Sequence, residues 1–177
     1  MPRSLTTLVL AAFLSVAPAC ANNPAQNGDC QDGAPAGVGG EFTATISGAE
    51  DVEFCGFATS SGQAGFGWSL QLLTPGGANS ILIIGAEGEG RPDSNTYDIA
   101  DYQANDATAP ANEYVVLIAF EEDILGTTGF SSVEGRLTIT SSSPTQVSGE
   151  FDFEARDSQG GATISVTGTF TSTNQDL

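Results

Sequence analysis

Residues 133–171 read VEGRLTITSSSPTQVSGEFDFEARDSQGGATISVTGTFT. Large apolar side chains recur at every second position in three runs, and segments rich in Ser, Pro, Gly and Asp separate the runs. This alternation is typical of strands that bury one face and expose the other. The stretch therefore predicts a three-stranded antiparallel meander with one face in water. The water-facing positions are Arg136, Thr138, Thr140, Glu150, Asp152, Glu154, Thr163, Ser165, Thr167 and Thr169.

The same alternation predicts how the first hairpin pairs. Closing it with the Ser-Ser-Ser-Pro-Thr segment as the turn places Arg136 opposite Glu150. A slip of one residue would bury the acids and expose phenylalanines, whereas a slip of two residues would preserve both faces. Gly149 leaves a gap in the apolar row, and we expect Leu137 and Phe170 on the flanking strands to cover it.

Working outward from this stretch, period-two patterning begins at Glu41 and continues between turns. Residues 41–173 are therefore predicted to form one all-β domain, an antiparallel β-sandwich of about eight or nine strands, with an up-and-down β-barrel as the alternative. The run 81–84 is apolar at every position, which indicates a strand covered on both faces. No convincing helical stripe is present after the first twenty residues.

Composition excludes several kinds of site. The 177 residues include 22 Asp and Glu, four Arg, no Lys and no His, and the formal net charge is −18. Without His or Lys, the chain has no Ser-His-Asp system, no His metal ligand, no Schiff-base lysine and no P-loop. The negative charge repels nucleic acid and anionic lipid headgroups, so neither is an expected direct partner.

The N-terminus has the pattern of an export signal. Arg3 precedes an apolar run over 8–17 that is too short for a comfortable membrane span. The following Ala-Pro-Ala-Cys resembles the lipobox of bacterial lipoproteins, although Ala17 stands where that family usually has Leu. The resemblance implies a signal peptide at 1–19 and a lipidated Cys20; plain secretion and a retained hydrophobic helix are the alternatives.

The segment after the signal is predicted to be a flexible tether. Residues 20–40 are rich in Gly, Pro, Asn and Ala, so almost nothing in them can be buried. A coil of this length spans about 25 Å and would lift a domain clear of a lipid surface. Ala21 after the cysteine, by resemblance to lipoprotein sorting, favours the outer membrane. The last residues, 174–177, are expected to be a disordered tail.

A broader resemblance covers residues 133–171 well and 40–171 loosely. The G-x-L-T-I-T, v-x-G-x-F-x-F and v-x-G-x-F patterns, together with Gly40-Glu41-Phe42-Thr43-Ala44 near the domain start, resemble a family of uncharacterised bacterial envelope lipoproteins. The resemblance implies an all-β envelope domain. It supplies no activity and no catalytic residues.

The cysteines fit an exported protein. If Cys20 carries lipid, Cys30 and Cys55 remain, and an oxidising compartment favours a disulfide between them. Two free thiols, or a Cys20–Cys30 bond in the absence of lipid, are the alternatives.

Carboxylates are the abundant chemistry-bearing side chains. On the wet face, Glu150, Asp152 and Glu154 are spaced at distances that glycoside hydrolysis requires, but period-two acids on an open face are typical of solvation, so we assign no catalytic residue and keep them as ligand-contact candidates. The polar segment 93–106 contains four further aspartates that are candidate calcium ligands, and two tyrosines near it are candidates for stacking on a sugar. These candidates are Asp93, Asp98, Asp101 and Asp106 for the metal, and Tyr102 and Tyr114 for the sugar.

The expected function is therefore a lipid-anchored, non-catalytic domain of the bacterial cell envelope that faces the periplasm or the cell surface. Its molecular function is open, its protein or glycan partner is unidentified, and no cofactor beyond calcium is indicated. We expect a monomer. The alternatives are a carboxylate-dependent glycan-active enzyme, a carbohydrate- or calcium-binding module, and a barrel that carries an apolar ligand.

Overall fold

A computed structural model describes residues 39–48, 52–63, 67–120, 129–157 and 161–175, and these ranges contain nine strands and no helix. The strong period-two alternation of the sequence produces this architecture, because each strand buries one face. The strands are β1 (Gly40–Ser47), β2 (Val52–Gln63), β3 (Gly67–Leu73), β4 (Ser80–Gly85), β5 (Thr96–Ile99), β6 (Glu113–Ala119), β7 (Gly129–Ser142), β8 (Gln146–Asp157) and β9 (Thr163–Asn174).

The nine strands form one sheet in the order β1-β2-β3-β4-β6-β5-β7-β8-β9. The all-β class, the strand number and the C-terminal meander β7-β8-β9 are confirmed. Pairing of β1 with β9 closes the sheet into a barrel, the connectivity of the alternative prediction. Opposite walls of the closed sheet pack onto one another through a single core, which is the packing expected of a sandwich.

The core is filled by inward-facing side chains from every strand. Its largest fully buried side chains include Trp68, Tyr114, Phe130 and Phe153. A gap among the described core residues, near Phe54, has a volume of about 10 Å³. Such a gap holds roughly one water molecule, so an apolar ligand has no room there.

The run 81–84 differs from its expectation. Ile81 and Ile83 are buried in the core, but Leu82 and Ile84 lie half-buried on the outer surface. The reason is the closed sheet: a strand in its wall has an inner and an outer face, and among the described residues no second layer covers the outer one.

The predicted register of the first meander hairpin is wrong by two residues. Arg136 lies opposite Asp152, and Glu150 lies opposite Thr138. The turn is tighter than expected, because the Ser143 and Gln146 backbones hydrogen-bond to each other in both directions, at 2.8 and 3.4 Å. A bulge at Thr140, between the pairs of Ile139 and Ser141, absorbs the extra residue.

The gap at Gly149 is covered as expected on one side. Gly149 is paired with Phe170, and a Cβ atom added at Gly149 would lie 3.1 Å from the Phe170 ring. Gly168 repeats this arrangement with Phe151, whose ring would lie 2.4 Å from an added Cβ atom. Leu137 is paired with Phe151 and not with Gly149, because of the register difference. The two glycines therefore leave room for aromatic rings inside the barrel.

The C-terminal boundary also differs from its expectation. Asn174 belongs to β9, and its backbone N–H donates to Thr145 O at 3.0 Å. Its side-chain oxygen accepts a hydrogen bond from Ser60 Oγ at 2.7 Å, and Gln175 N donates to Ser60 O at 2.8 Å. The predicted disordered tail at 174–177 is therefore wrong for its first two residues, because β9 continues into a hydrogen-bonded contact with β2.

Candidate functional site

The outer face of the meander, with the neighbouring strands β5, β1 and β2, forms a groove of about 800 Å³. A second depression of about 620 Å³ shares Arg136 and Asp152 with it. We call the two together the acidic groove. Its outward-facing side chains are Thr43, Thr45, Glu53, Thr96, Asp98, Glu134, Arg136, Thr138, Glu150, Asp152, Glu154, Thr167 and Thr169.

Strand register arranges the groove side chains in rows across the sheet. One row consists mainly of hydroxyls, and in it Glu150 stands between two hydrogen-bonded threonine pairs. Thr43 Oγ1 lies 3.1 Å from Thr169 Oγ1, and Thr96 Oγ1 lies 3.2 Å from Thr138 Oγ1. Cross-strand threonine pairs of this kind stabilise a sheet. The hydroxyl row is therefore partly structural, and Glu150 is its charged member.

The adjacent row carries most of the charge. Arg136 lies opposite Asp98 on one side and Asp152 on the other. Within the described ranges Arg136 makes no ion pair, since the recorded one joins Arg156 to Asp101 at 3.2 Å. The next row places Glu134 directly opposite Glu154. Like charges in directly opposed positions are unfavourable, so this end of the groove has a locally uncompensated negative charge.

The groove carboxylates are exposed. Neighbours two residues apart on β8, such as Glu150 and Asp152, are separated by about 7 Å. That separation suits a pair of catalytic carboxylates, but a general acid also needs burial that keeps it protonated. The arrangement can accept hydrogen bonds and attract cations, and it lacks the buried environment of an acid catalyst.

The four candidate calcium ligands do not converge. Asp98 lies in the groove, whereas Asp93 and Asp106 lie exposed in loops. Asp101 is engaged elsewhere: its Oδ1 accepts from Gln103 N and Ala104 N, both at 2.9 Å, and its Oδ2 is paired with Arg156. Among the described residues no group of three or more His, Cys, Asp or Glu side chains could hold a metal ion.

The two candidate tyrosines do not form a stacking platform. Tyr114 is 2% exposed and packs edge-on against Trp68 and Tyr97, at ring distances of 5.9 and 5.4 Å. Burial raises the pKa of its hydroxyl well above the usual range, and the nearby Tyr97 and Glu89 add to the rise. The prediction for Tyr114 is therefore wrong, because its ring belongs to the core. Tyr102 is half-buried in the loop after β5, where its N–H donates to Ser132 O at 3.0 Å.

The residues predicted to attach the protein lie outside the described ranges. These are the signal peptide at 1–19, Cys20, the tether up to residue 38 and Cys30. In the described ranges, no helix is both long enough and apolar enough to cross a membrane. Cys55 lies on β2 opposite Thr43 and is disulfide-bonded. It is the only cysteine in the described part of the chain, so its pairing with Cys30 stays a prediction.

We expect Cys30 and Cys55 to be joined in protein isolated from the envelope, because Cys55 is 8% exposed and faces outward beside the start of the domain. Proteolysis without reduction, followed by mass spectrometry, should yield a linked peptide pair that separates on reduction. Recovery of both thiols free, or of a Cys20–Cys55 linked pair, would contradict the prediction. The same digest after reduction and alkylation serves as the control.

Sequence reasoning found the acids of β8 but missed three groups that share the groove with them. Thr43 and Thr45 come from β1, and Asp98 comes from β5. Their alternation with apolar residues was readable, but nothing local indicated which distant strands lie beside the meander. Comparisons of the chain with protein-family models, with curated proteins and with solved structures found no match.

Proposed function

We propose that this chain is a non-catalytic binding domain of the bacterial cell envelope, anchored through a lipid on Cys20, with the acidic groove as its binding surface. The observation that carries the proposal is the groove itself, about 800 Å³ in volume and lined by exposed hydroxyls and carboxylates. Such a surface suits reversible contact with a partner. It faces outward from a filled core, which leaves its side chains accessible.

The alternative of a glycan-active enzyme has less support. The chain has no His and no Lys, and the groove carboxylates are exposed. Glycoside hydrolysis needs one carboxyl that is held protonated, usually by an apolar surrounding. None of the described groove acids has such a surrounding, since each projects outward from its strand.

The alternative of an apolar-ligand carrier is also less well supported. Phe42, Phe54 and Leu72 line the gap of about 10 Å³ in the described core. A carrier needs an internal cavity large enough for most of the ligand, on the order of 300 Å³ or more. The space available to a ligand lies on the outer face instead.

The proposed location rests on the N-terminal sequence. An apolar run followed by Ala-Pro-Ala-Cys favours export and lipid attachment, and the Gly- and Pro-rich segment up to residue 40 suits a tether. A lipid-anchored monomer on the outer membrane, facing the periplasm or the cell surface, would then present the groove away from the lipid.

Substituting Cys20→Ser is expected to release the protein from the membrane fraction, because the thiol that would carry the lipid is gone. The measurement is fractionation of cells that express the full chain, followed by detection in the membrane and soluble fractions. Ala21→Ser, which keeps the cysteine, is the matched control and should stay with the membrane. A processed Cys20→Ser protein that still sediments with the membrane would contradict the anchor.

A further inference from the structure

We propose that the acidic groove binds a basic polypeptide segment in extended conformation, with Lys or Arg at alternate positions. This inference rests on the proposed function, since it names the partner class of the same surface. It starts from the charge of the groove, in which Arg136 is the one cation among the described lining residues. Its carboxylates are Glu53, Asp98, Glu134, Glu150, Asp152 and Glu154.

The opposed pair of Glu134 and Glu154 adds a reason for a cationic partner. The two residues are directly paired across β7 and β8, and both are exposed. Like charges in this position oppose the pairing of their strands. A Lys or Arg side chain placed between them would replace the repulsion with two attractions, so binding would be favoured at this end of the groove.

The spacing of the acids along β8 favours an extended polypeptide over a compact cation. Glu150, Asp152 and Glu154 follow one another on one strand face at intervals of about 7 Å. An extended peptide places alternate side chains at the same interval. A segment lying along β8 would therefore present one basic side chain to each acid in turn.

Closure of the sheet determines which groups make the contact. β8 is hydrogen-bonded to β7 and β9, and β1 joins β9 to complete the barrel. A partner cannot add a strand beside β8, because the backbone groups there are already paired. Recognition must therefore come from side chains on the outer face, where carboxylates and threonine hydroxyls accept hydrogen bonds.

The test uses the mature chain and a fluorescent twelve-residue peptide in which Lys alternates with Ser or Gly. Anisotropy titrations at low and at physiological salt would compare wild type with the triple variant Glu150→Gln, Asp152→Asn, Glu154→Gln. Three lost exposed charge contacts should weaken binding about tenfold. The matched control carries Glu87→Gln, Asp93→Asn and Asp106→Asn, which remove equal charge from exposed loop positions, and its affinity should change less than twofold.

A second variant makes the test independent of the triple substitution. Arg136→Gln removes the groove's cation and should strengthen peptide binding about threefold. Circular dichroism of each variant checks that the sheet is retained. Unchanged or weaker binding by Arg136→Gln would overturn the proposal.

Other outcomes also decide the matter. Equal losses in the groove and loop triples would indicate attraction to bulk charge and overturn the proposal, as would equal affinity for an all-Ser/Gly peptide. Binding of spermine as tight as that of the peptide would overturn the polypeptide commitment. If the protein is anchored through Cys20 but binds no basic peptide, only the partner class fails. If basic peptide binds at the groove but the protein is not anchored, the envelope location fails and the binding surface stands.

Discussion

Substituting Gly168→Ala is expected to lower the free energy of unfolding by about 3 kcal/mol or more. Gly168 lies on β9 between Phe151 of β8 and Ala44 of β1, on the inner face of the barrel. An added Cβ atom would lie 2.4 Å from Phe151 Cζ and 2.5 Å from the backbone oxygen of Thr43. The ring could turn aside only by disturbing its contact with Phe170, and the backbone oxygen belongs to a paired strand.

The control is Gly90→Ala, because no atom lies within 4 Å of a Cβ atom added there. We expect that substitution to change stability by less than about 0.5 kcal/mol. Urea denaturation followed by the fluorescence of Trp68 would give both values. Equal stability of Gly168→Ala and wild type would mean that the inner face around Phe151 is looser than the structure indicates.

The meander could be predicted because its alternation is local. Each of β7, β8 and β9 carries the signal of its inner face within its own residues, as Leu137, Phe151 and Phe170 illustrate. The hairpin register could not be obtained in the same way. A period-two pattern is unchanged by a slip of two residues, so only the bulge at Thr140 and the tight turn after it distinguish Glu150 from Asp152 as the partner of Arg136.

Closure of the barrel depends on contacts that no local pattern reports. β1 and β9 are far apart in sequence, and their pairing places Phe42 beside Phe170. An edge strand and a closing strand have the same alternation, so the sequence leaves sandwich and barrel as alternatives.

The candidate site was partly predictable for a similar reason. The acids of β8 were recognised from their own strand, whereas the neighbours supplied by β5 and β1 required the topology. Tyr114 was misassigned because it begins a continuous apolar run over 114–120, in which periodicity does not reveal the inner face. Asp101 was misassigned because its ion-pair partner, Arg156, is distant in sequence.

Ser132 lies where β7 leaves β6 and begins to pair with β5. A bulge follows it, and the strand pairing at this fork is completed by its side chain. Its Oγ accepts a hydrogen bond from Val116 N at 3.0 Å and donates one to Ala100 O at 2.7 Å. Because Ser132 is 1% exposed, water cannot readily replace it. One hydroxyl therefore satisfies a buried donor on β6 and an acceptor just after β5.

Substituting Ser132→Ala should consequently destabilise the protein by about 2–4 kcal/mol, since both backbone groups lose their partner in a buried place. The matched control, Ser165→Ala, removes an exposed hydroxyl from β9 and should change stability by less than about 0.5 kcal/mol. Denaturant titration measures both, and hydrogen exchange at the Val116 amide reports on the fork itself. We expect faster exchange there in Ser132→Ala. A loss below about 0.5 kcal/mol with unchanged exchange would mean that the fork is held together by its backbone pairing alone.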